Sequence, residues 1–341
     1  MTGWLNLTDE QRKISIDQAA FKSGIQAKAI EKDWWVTLTL KALFQIPAAK
    51  HLVFKGGTSL SKCWKLIERF SEDIDIALSP EAFGMQYAEN PGSGYLTRLK
   101  KKGCAYTSEK LKEALENEFA TMGIAAGAII VEAAIVKDDM PDTDPQTLFV
   151  KYVSLYDKNP YLEDQVKIEV GVRSLNEPHS IMPVQSLLYE IYPNPVYAET
   201  AFDVTVMEPQ KTFLEKTFLL HEEFLKPFAG KAIRADRMSR HLYDIEKIMD
   251  TEYGKMALEN QVLYNAIVVH RSKYSRFNWM DYKTLDKATI TFLPPEDVID
   301  SYKKDYEEMR ENMIYGATLE YDHLIQRLQE LSERFRKTSS L

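Results

Sequence analysis

Hydrophobic spacing divides this chain into a mixed first part and a helical second part. Over residues 8–45 apolar positions recur every three or four residues, the repeat of helices with one face in a core. Thr8-Asp9-Glu10 is suited to capping the first of these helices. In the second, Ile30, Trp34, Trp35, Leu38, Leu40, Leu43 and Phe44 form a broad apolar face. Glu31-Lys32-Asp33-Trp34-Trp35-Val36-Thr37 mixes charge with bulky aromatics there. The spacing predicts a core-facing helix with a solvated charged side, with substrate contact as the alternative. Leu52–Lys55 is then a short buried strand running into Gly56-Gly57, and helical spacing covers Ser59–Arg69 with Leu60, Trp64 and Ile67 on one side. Asp73-Ile74-Asp75-Ile76-Ala77-Leu78 alternates with a period of two, the pattern of a strand.

Pro80–Tyr106 reads as loop-rich. Its basic run, Arg98-Leu99-Lys100-Lys101-Lys102, predicts a solvated face, with nucleic-acid contact as the alternative. A helix over 107–122 follows, then strands at Ala128–Val136, Leu148–Leu155 and Gln165–Val172. Pro178, Pro183, Pro193 and Pro195 punctuate a less regular stretch before one more strand at Phe202–Met207. After Pro209 strand signals give way to helical spacing over 211–228, 234–250, 255–271, 297–314 and 319–336. The expected fold is α+β (mixed α/β), with domains at 1–208 and 209–341.

Composition narrows the setting. A hydrophobic share of 45% can fill real cores, so the chain is globular. Its formal net charge of −8 argues against a protein that coats nucleic acid nonspecifically, while leaving room for a local basic patch. Cys63 and Cys104 supply neither a disulfide framework nor a thiolate metal site, which fits a reducing cytoplasm. No signal peptide or membrane-spanning run is expected.

Candidate chemistry gathers at the two aspartates. Asp73 and Asp75 stand two residues apart on a strand, so both project to one face while Ile74 and Ile76 enter the core. Paired carboxylates repel unless they are solvated, share a proton or hold a cation. Mg²⁺ suits them, since it takes hard oxygen ligands and keeps places for phosphate oxygens and water. Gly56 and Gly57 allow close approach of a phosphate, Thr58 and Ser59 add hydroxyls, and a following helix adds free N–H groups. Neither a Walker A loop nor a dinucleotide fingerprint is present. An ordinary strand-to-helix turn is the competing explanation of the glycine pair.

In-line displacement calls for a third carboxylate, and Glu169 in Val166-Lys167-Ile168-Glu169-Val170 is the best candidate, with a simple exposed alternating strand as the alternative. Downstream, Lys216 sits in an otherwise apolar helix. Arg237, Arg240 or His241, and Asp244 share a helix face by their spacing. They form either a structural ion-pair network or a cation set that clamps a triphosphate, with Asp244 holding Lys216.

Phe54-Lys55-Gly56-Gly57-Thr58-Ser59-Leu60-Ser61-Lys62 with Arg69-Phe70-Ser71-Glu72-Asp73-Ile74-Asp75 resembles the signature of the AbiEii/AbiGii-type toxins, a polymerase-beta-like group of nucleotidyltransferases. Residues 31–37, 167–170, 239–245 and 305–316 also match that family. Cys63 and Trp64 are bulkier than the small residues expected after Lys62, a departure that bears on packing.

The resemblance implies a nucleotidyltransferase core with an appended helical domain and Mg²⁺ or Mn²⁺ on Asp73, Asp75 and Glu169. It implies catalytic roles for Lys216 and Asp244, and nucleotide contacts from Gly56, Gly57, Thr58, Ser59, Lys62, Ser71 and Arg240. Ser71 matches a serine that some members phosphorylate in self-inhibition. The implied reaction moves an NMP from an NTP to an acceptor, a tRNA 3′ end being one candidate, under control of a cognate antitoxin in the cytoplasm. The alternatives are a nucleotide-binding regulatory protein without transfer activity, and transfer of NMP or phosphate to a protein hydroxyl.

Overall fold

The computed structural model describes residues 1–137, 139–158 and 162–338; the last three residues of the expected helical part lie outside them. The chain divides into two compact units, Met1–Cys63 with Phe70–Met207, and Trp64–Arg69 with Glu208–Leu341.

The first unit opens with helices α1 (Asp9–Ser23) and α2 (Ala27–Leu43). Thr8 and Gln11 cap α1 reciprocally, each side chain accepting from the other's backbone N–H. The order continues as β1 (Leu52–Lys55), α3 (Gly56–Lys62), β2 (Asp73–Leu78), α4 (Ser93–Tyr106) and α5 (Lys112–Thr121). Then come β3 (Ile129–Ala133), β4 (Gln146–Tyr152), β5 (Gln165–Gly171), β6 (His179–Val184), α6 (Leu187–Ile191) and β7 (Phe202–Met207). The strands form one mixed sheet of seven, ordered β3-β4-β5-β2-β1-β7-β6. Two pairs, β2 with β5 and β1 with β7, run parallel.

The sheet's two faces differ because its strands alternate. Phe54, Ile74, Ile76, Leu148, Val150, Val166 and Ile168 are buried on one face. There α2 packs, Trp35 stacking on Tyr152 with ring centroids 4.7 Å apart. Lys55, Asp73, Asp75, Lys167 and Glu169 occupy the other face, half-buried.

Several expectations change. The basic run 98–102 lies in α4 rather than a loop, with Leu96, Leu99 and Gly103 on its buried side and Arg98, Lys101 and Lys102 exposed. The irregular stretch after Pro178 contains β6, an edge strand, where Pro183 is tolerated. The charges of Glu31, Lys32 and Asp33 are not solvated: these residues are only 1%, 2% and 6% exposed.

The second unit holds α7 (Pro209–Phe224), α8 (Ser239–Met249), α9 (Glu252–Glu259), α10 (Gln261–Tyr274), α11 (Ile299–Asn312) and α12 (Tyr321–Thr338). The helix expected over 255–271 is two, because Asn260 ends α9 and caps α10 by accepting from the Leu263 N–H at 3.0 Å. Asp305 accepts from the backbone N–H groups of Arg237 and Ser239 at 2.6 and 2.8 Å, satisfying donors at the start of α8. Arg237 therefore lies outside that helix, with φ of 55°, rather than on its face.

The strip Trp64–Arg69 belongs to this second unit, which is why the helix expected over Ser59–Arg69 stops at Lys62. Lys65 takes φ of 53°, and the Glu68 carbonyl accepts from the Tyr315 N–H at 3.0 Å. The Glu68 N–H donates to the Tyr243 hydroxyl at 3.2 Å, and Trp64 meets Tyr253 edge-on. These long-range bonds replace the helical ones. No helix among the described residues is long and apolar enough to cross a membrane.

Candidate active site

Strand register assembles the acidic face. In the parallel β2–β5 pair Asp73 stands opposite Lys167 and Asp75 opposite Glu169. In the antiparallel β1–β2 pair Lys55 stands opposite Asp75. Directly opposed residues share a face and lie about 5 Å apart. The site face therefore presents Asp73, Asp75 and Glu169 with Lys55 and Lys167 among them. Glu169 pairs with Lys167, its Oε1 being 2.5 Å from Nζ. Burial pushes the Lys167 ammonium down, but Glu169, Asp73 and Asp75 outweigh it and raise its pKa overall. That balance marks an electronegative surface.

Gly56 is where the backbone and the acids meet. It has φ of +80°, and a Cβ placed on it would lie 2.0 Å from Asp75 Oδ2 and 2.9 Å from Cγ. The Asp75 carboxylate thus lies directly over the glycine. Gly56→Ala is expected to destabilise the chain by about 1–2 kcal/mol through the left-handed backbone. It should also displace the Asp75 carboxylate and slow whatever reaction this face carries about a hundredfold, the scale of an ångström-level misplacement. Circular dichroism with an activity assay checks both; a fully active Gly56→Ala variant would show that the close approach is dispensable.

The neighbouring hydroxyls are turned inward. Thr58 Oγ1 bonds to Ser71 Oγ at 2.8 Å and donates to the Asp73 carbonyl. Ser59 Oγ donates to the Gly56 carbonyl at 2.8 Å, and both residues are buried. Lys62 is buried too, its ammonium 2.6 Å from Asp33 Oδ1. Gly57 is buried at the start of α3. Thr58 thus ties the loop to β2, and Lys62 ties the end of α3 to α2.

The second unit gathers the downstream residues with one that the sequence did not single out. Asp244 is fully buried and receives Arg69 Nε and Nη2 at 2.7 and 2.8 Å. Lys216 Nζ lies 2.9 Å from the same carboxylate and 3.3 Å from His241 Nδ1. Burial would raise the Asp244 pKa, but the two cations hold it below the ordinary value. Burial lowers the Lys216 ammonium, and Arg69 and Arg240 add to this against the pull of Asp244. Burial, with Lys216 and Arg240 nearby, drives His241 well below the usual imidazole range, so it is neutral near pH 7. One carboxylate thus serves both Arg69 and Lys216. The sequence marks Arg69 only as a member of the upstream motif, because its partner lies 175 residues away.

The donor set suits a divalent cation that arrives with phosphate. Among the described residues no three His, Cys, Asp or Glu side chains converge as a ready-made metal cage. Mg²⁺ commonly takes one or two carboxylates and completes its shell with substrate oxygens and water. Asp73 and Asp75 meet that requirement.

On this mixed sheet a strand thus runs through a glycine pair into a short helix and on to a strand carrying a carboxylate pair. The fold is similar to that of MenT4, a nucleotidyltransferase toxin from Mycobacterium tuberculosis H37Rv. The TM-score is 0.52 at 16% identity, over 95% of this chain and 88% of that one. Residues 39–334 match the family described as nucleotidyl transferase AbiEii toxin of type IV toxin–antitoxin systems, and the chain belongs to that family. It is accordingly a nucleotidyltransferase toxin, and membership implies an NTP substrate and a cognate antitoxin. No protein of curated function matches the chain significantly in sequence.

Proposed function

We propose that the protein transfers a nucleoside monophosphate from an NTP to a hydroxyl acceptor in a reaction dependent on Mg²⁺ or Mn²⁺, with an RNA 3′ end such as that of tRNA as the acceptor class. The observation that carries this reading is the β2–β5 register, which sets Asp75 beside Glu169 with Asp73 on the same face. An acceptor oxygen forms a bond to the α-phosphorus, the bond to the bridging oxygen breaks, and pyrophosphate leaves. When bound, the divalent ion would be held by Asp73 and Asp75 and would neutralise charge on the phosphates. Glu169, released from Lys167, would accept the acceptor's proton or complete a second cation site. Gly56 and Gly57 would admit the triphosphate, with Thr58, Ser59, Lys62 and Ser71 shaping that loop. In the second unit, Lys216 and Arg240 would bind phosphate, with Asp244 as the anchor of Lys216.

Incorporation from each of the four NTPs, labelled in turn in the α- and γ-phosphate and offered with cellular RNA and protein, tests this reading. Alpha label should enter RNA and gamma label should leave as pyrophosphate. Gamma label entering protein would establish kinase-like transfer instead. Tight NTP binding without incorporation would establish a regulatory protein.

A further inference from the structure

The acidic face is governed from behind by a charge that touches neither carboxylate of the Asp73–Asp75 pair through any hydrogen bond. Lys32 sits in α2, and an ammonium has three donors and no acceptor. Its Nζ donates to the carbonyls of Glu163, at 2.7 Å, and Gln165, and lies 3.3 Å from Glu72 Oε2. Its side chain is only 3% exposed. Three acceptors for three donors leave the ammonium fully satisfied.

Those acceptors have a common property. Glu72 immediately precedes Asp73, the first residue of β2, and Gln165 is the first residue of β5. One ammonium therefore holds together the leading ends of the two parallel strands that carry Asp73, Asp75 and Glu169. Register between them matters absolutely, since a slip of one residue turns every side chain to the opposite face. The flanking residues of α2 act on neighbouring segments. Asp33 accepts from Lys62 at the end of α3 and from the Leu187 N–H at 2.7 Å. Glu31 accepts from Ser154 Oγ and the Leu155 N–H at 2.6 and 2.8 Å, just beyond β4.

We infer that Lys32 is a positioning residue for the transfer reaction, its ammonium setting β2 against β5 so that Asp73 and Asp75 align with Glu169. This rests on the reading of those three carboxylates as the reacting site. Through it, α2 does more than fill the core: it carries the register lock of the active face.

The test compares Lys32→Met, Glu72→Gln, the double variant and Asp73→Ala, using α-labelled NTPs with cellular RNA as the probe acceptor. Lys32→Met should lower the maximal rate about 10–100-fold, the range of an ångström-scale misplacement, with the apparent KM for NTP within about threefold. The double variant should lose less than the product of the two single losses, because Lys32 and Glu72 share one ion pair. Hydrogen exchange gives a readout independent of activity. In Lys32→Met, or in Glu72→Gln should that variant not fold, amides of 73–78 and 165–171 should exchange at least about tenfold faster, while the β3–β4 amides keep their protection. An unchanged maximal rate in folded Lys32→Met, strictly additive losses, or exchange that rises uniformly across the sheet would each overturn the inference. If Asp73→Ala remains active, the site reading itself fails; if only Asp73→Ala is inactive, the positioning role alone fails.

Discussion

Asp73→Ala should remove nucleotide transfer, by at least about a thousandfold, or roughly 4 kcal/mol of transition-state stabilisation. The side chain is half-buried at the start of β2, and shortening it deletes no core packing because Ile74 and Ile76 carry that load. The variant should therefore fold like the parent, with an unchanged far-ultraviolet spectrum and Tm within a few degrees. Asp75→Ala should match it, and the two together should lose no more than either, since carboxylates that act on one phosphate centre act as a unit. Measuring α-label incorporation over a range of Mn²⁺ concentrations separates weak metal binding from loss of chemistry. Substantial transfer by Asp73→Ala at saturating Mn²⁺ would remove Asp73 from the reaction.

Asp244→Ala should strongly destabilise the second unit. It leaves Arg69 and Lys216 buried beside each other without their shared carboxylate. Removing one partner of a buried ion pair costs about 3–5 kcal/mol. The effect should appear as a lower urea midpoint, and Asp244→Asn should recover part of it by keeping hydrogen-bond acceptance. The pH dependence has a definite sign. Because the folded-state pKa of Asp244 is depressed, its stabilisation is present above the unfolded value near 3.9 and is lost as pH falls through the folded one. Asp244→Asn should flatten the acid limb of the stability curve. An unaltered midpoint in Asp244→Ala would mean that the cluster is not an anchor.

The elements that local spacing can specify are legible in the sequence alone. β2 reads directly from its alternation, β5 does the same through Lys167-Ile168-Glu169-Val170, and the sheet places Asp75 and Glu169 side by side. What escaped local reading depends on partners distant in the chain. Glu31, Lys32 and Asp33 look like a solvated face because their acceptors and donors lie up to 154 residues away. The same holds for Arg69, and for α3, whose expected extension is overridden by bonds between residues 68 and 315–316. Lys55 escapes local reading for a simpler reason: its pairing with Asp75 is a property of register, which a single strand does not encode.

The β2–β5 face should bind a divalent cation together with a nucleoside triphosphate. Crystals grown with Mn²⁺ and a non-hydrolysable NTP test it most directly. Anomalous density in direct contact with the carboxylates of Asp73 and Asp75, bridged to the phosphates, is the predicted result. A nucleotide bound with its phosphates away from Asp73 and Asp75, or Mn²⁺ held elsewhere, would contradict it.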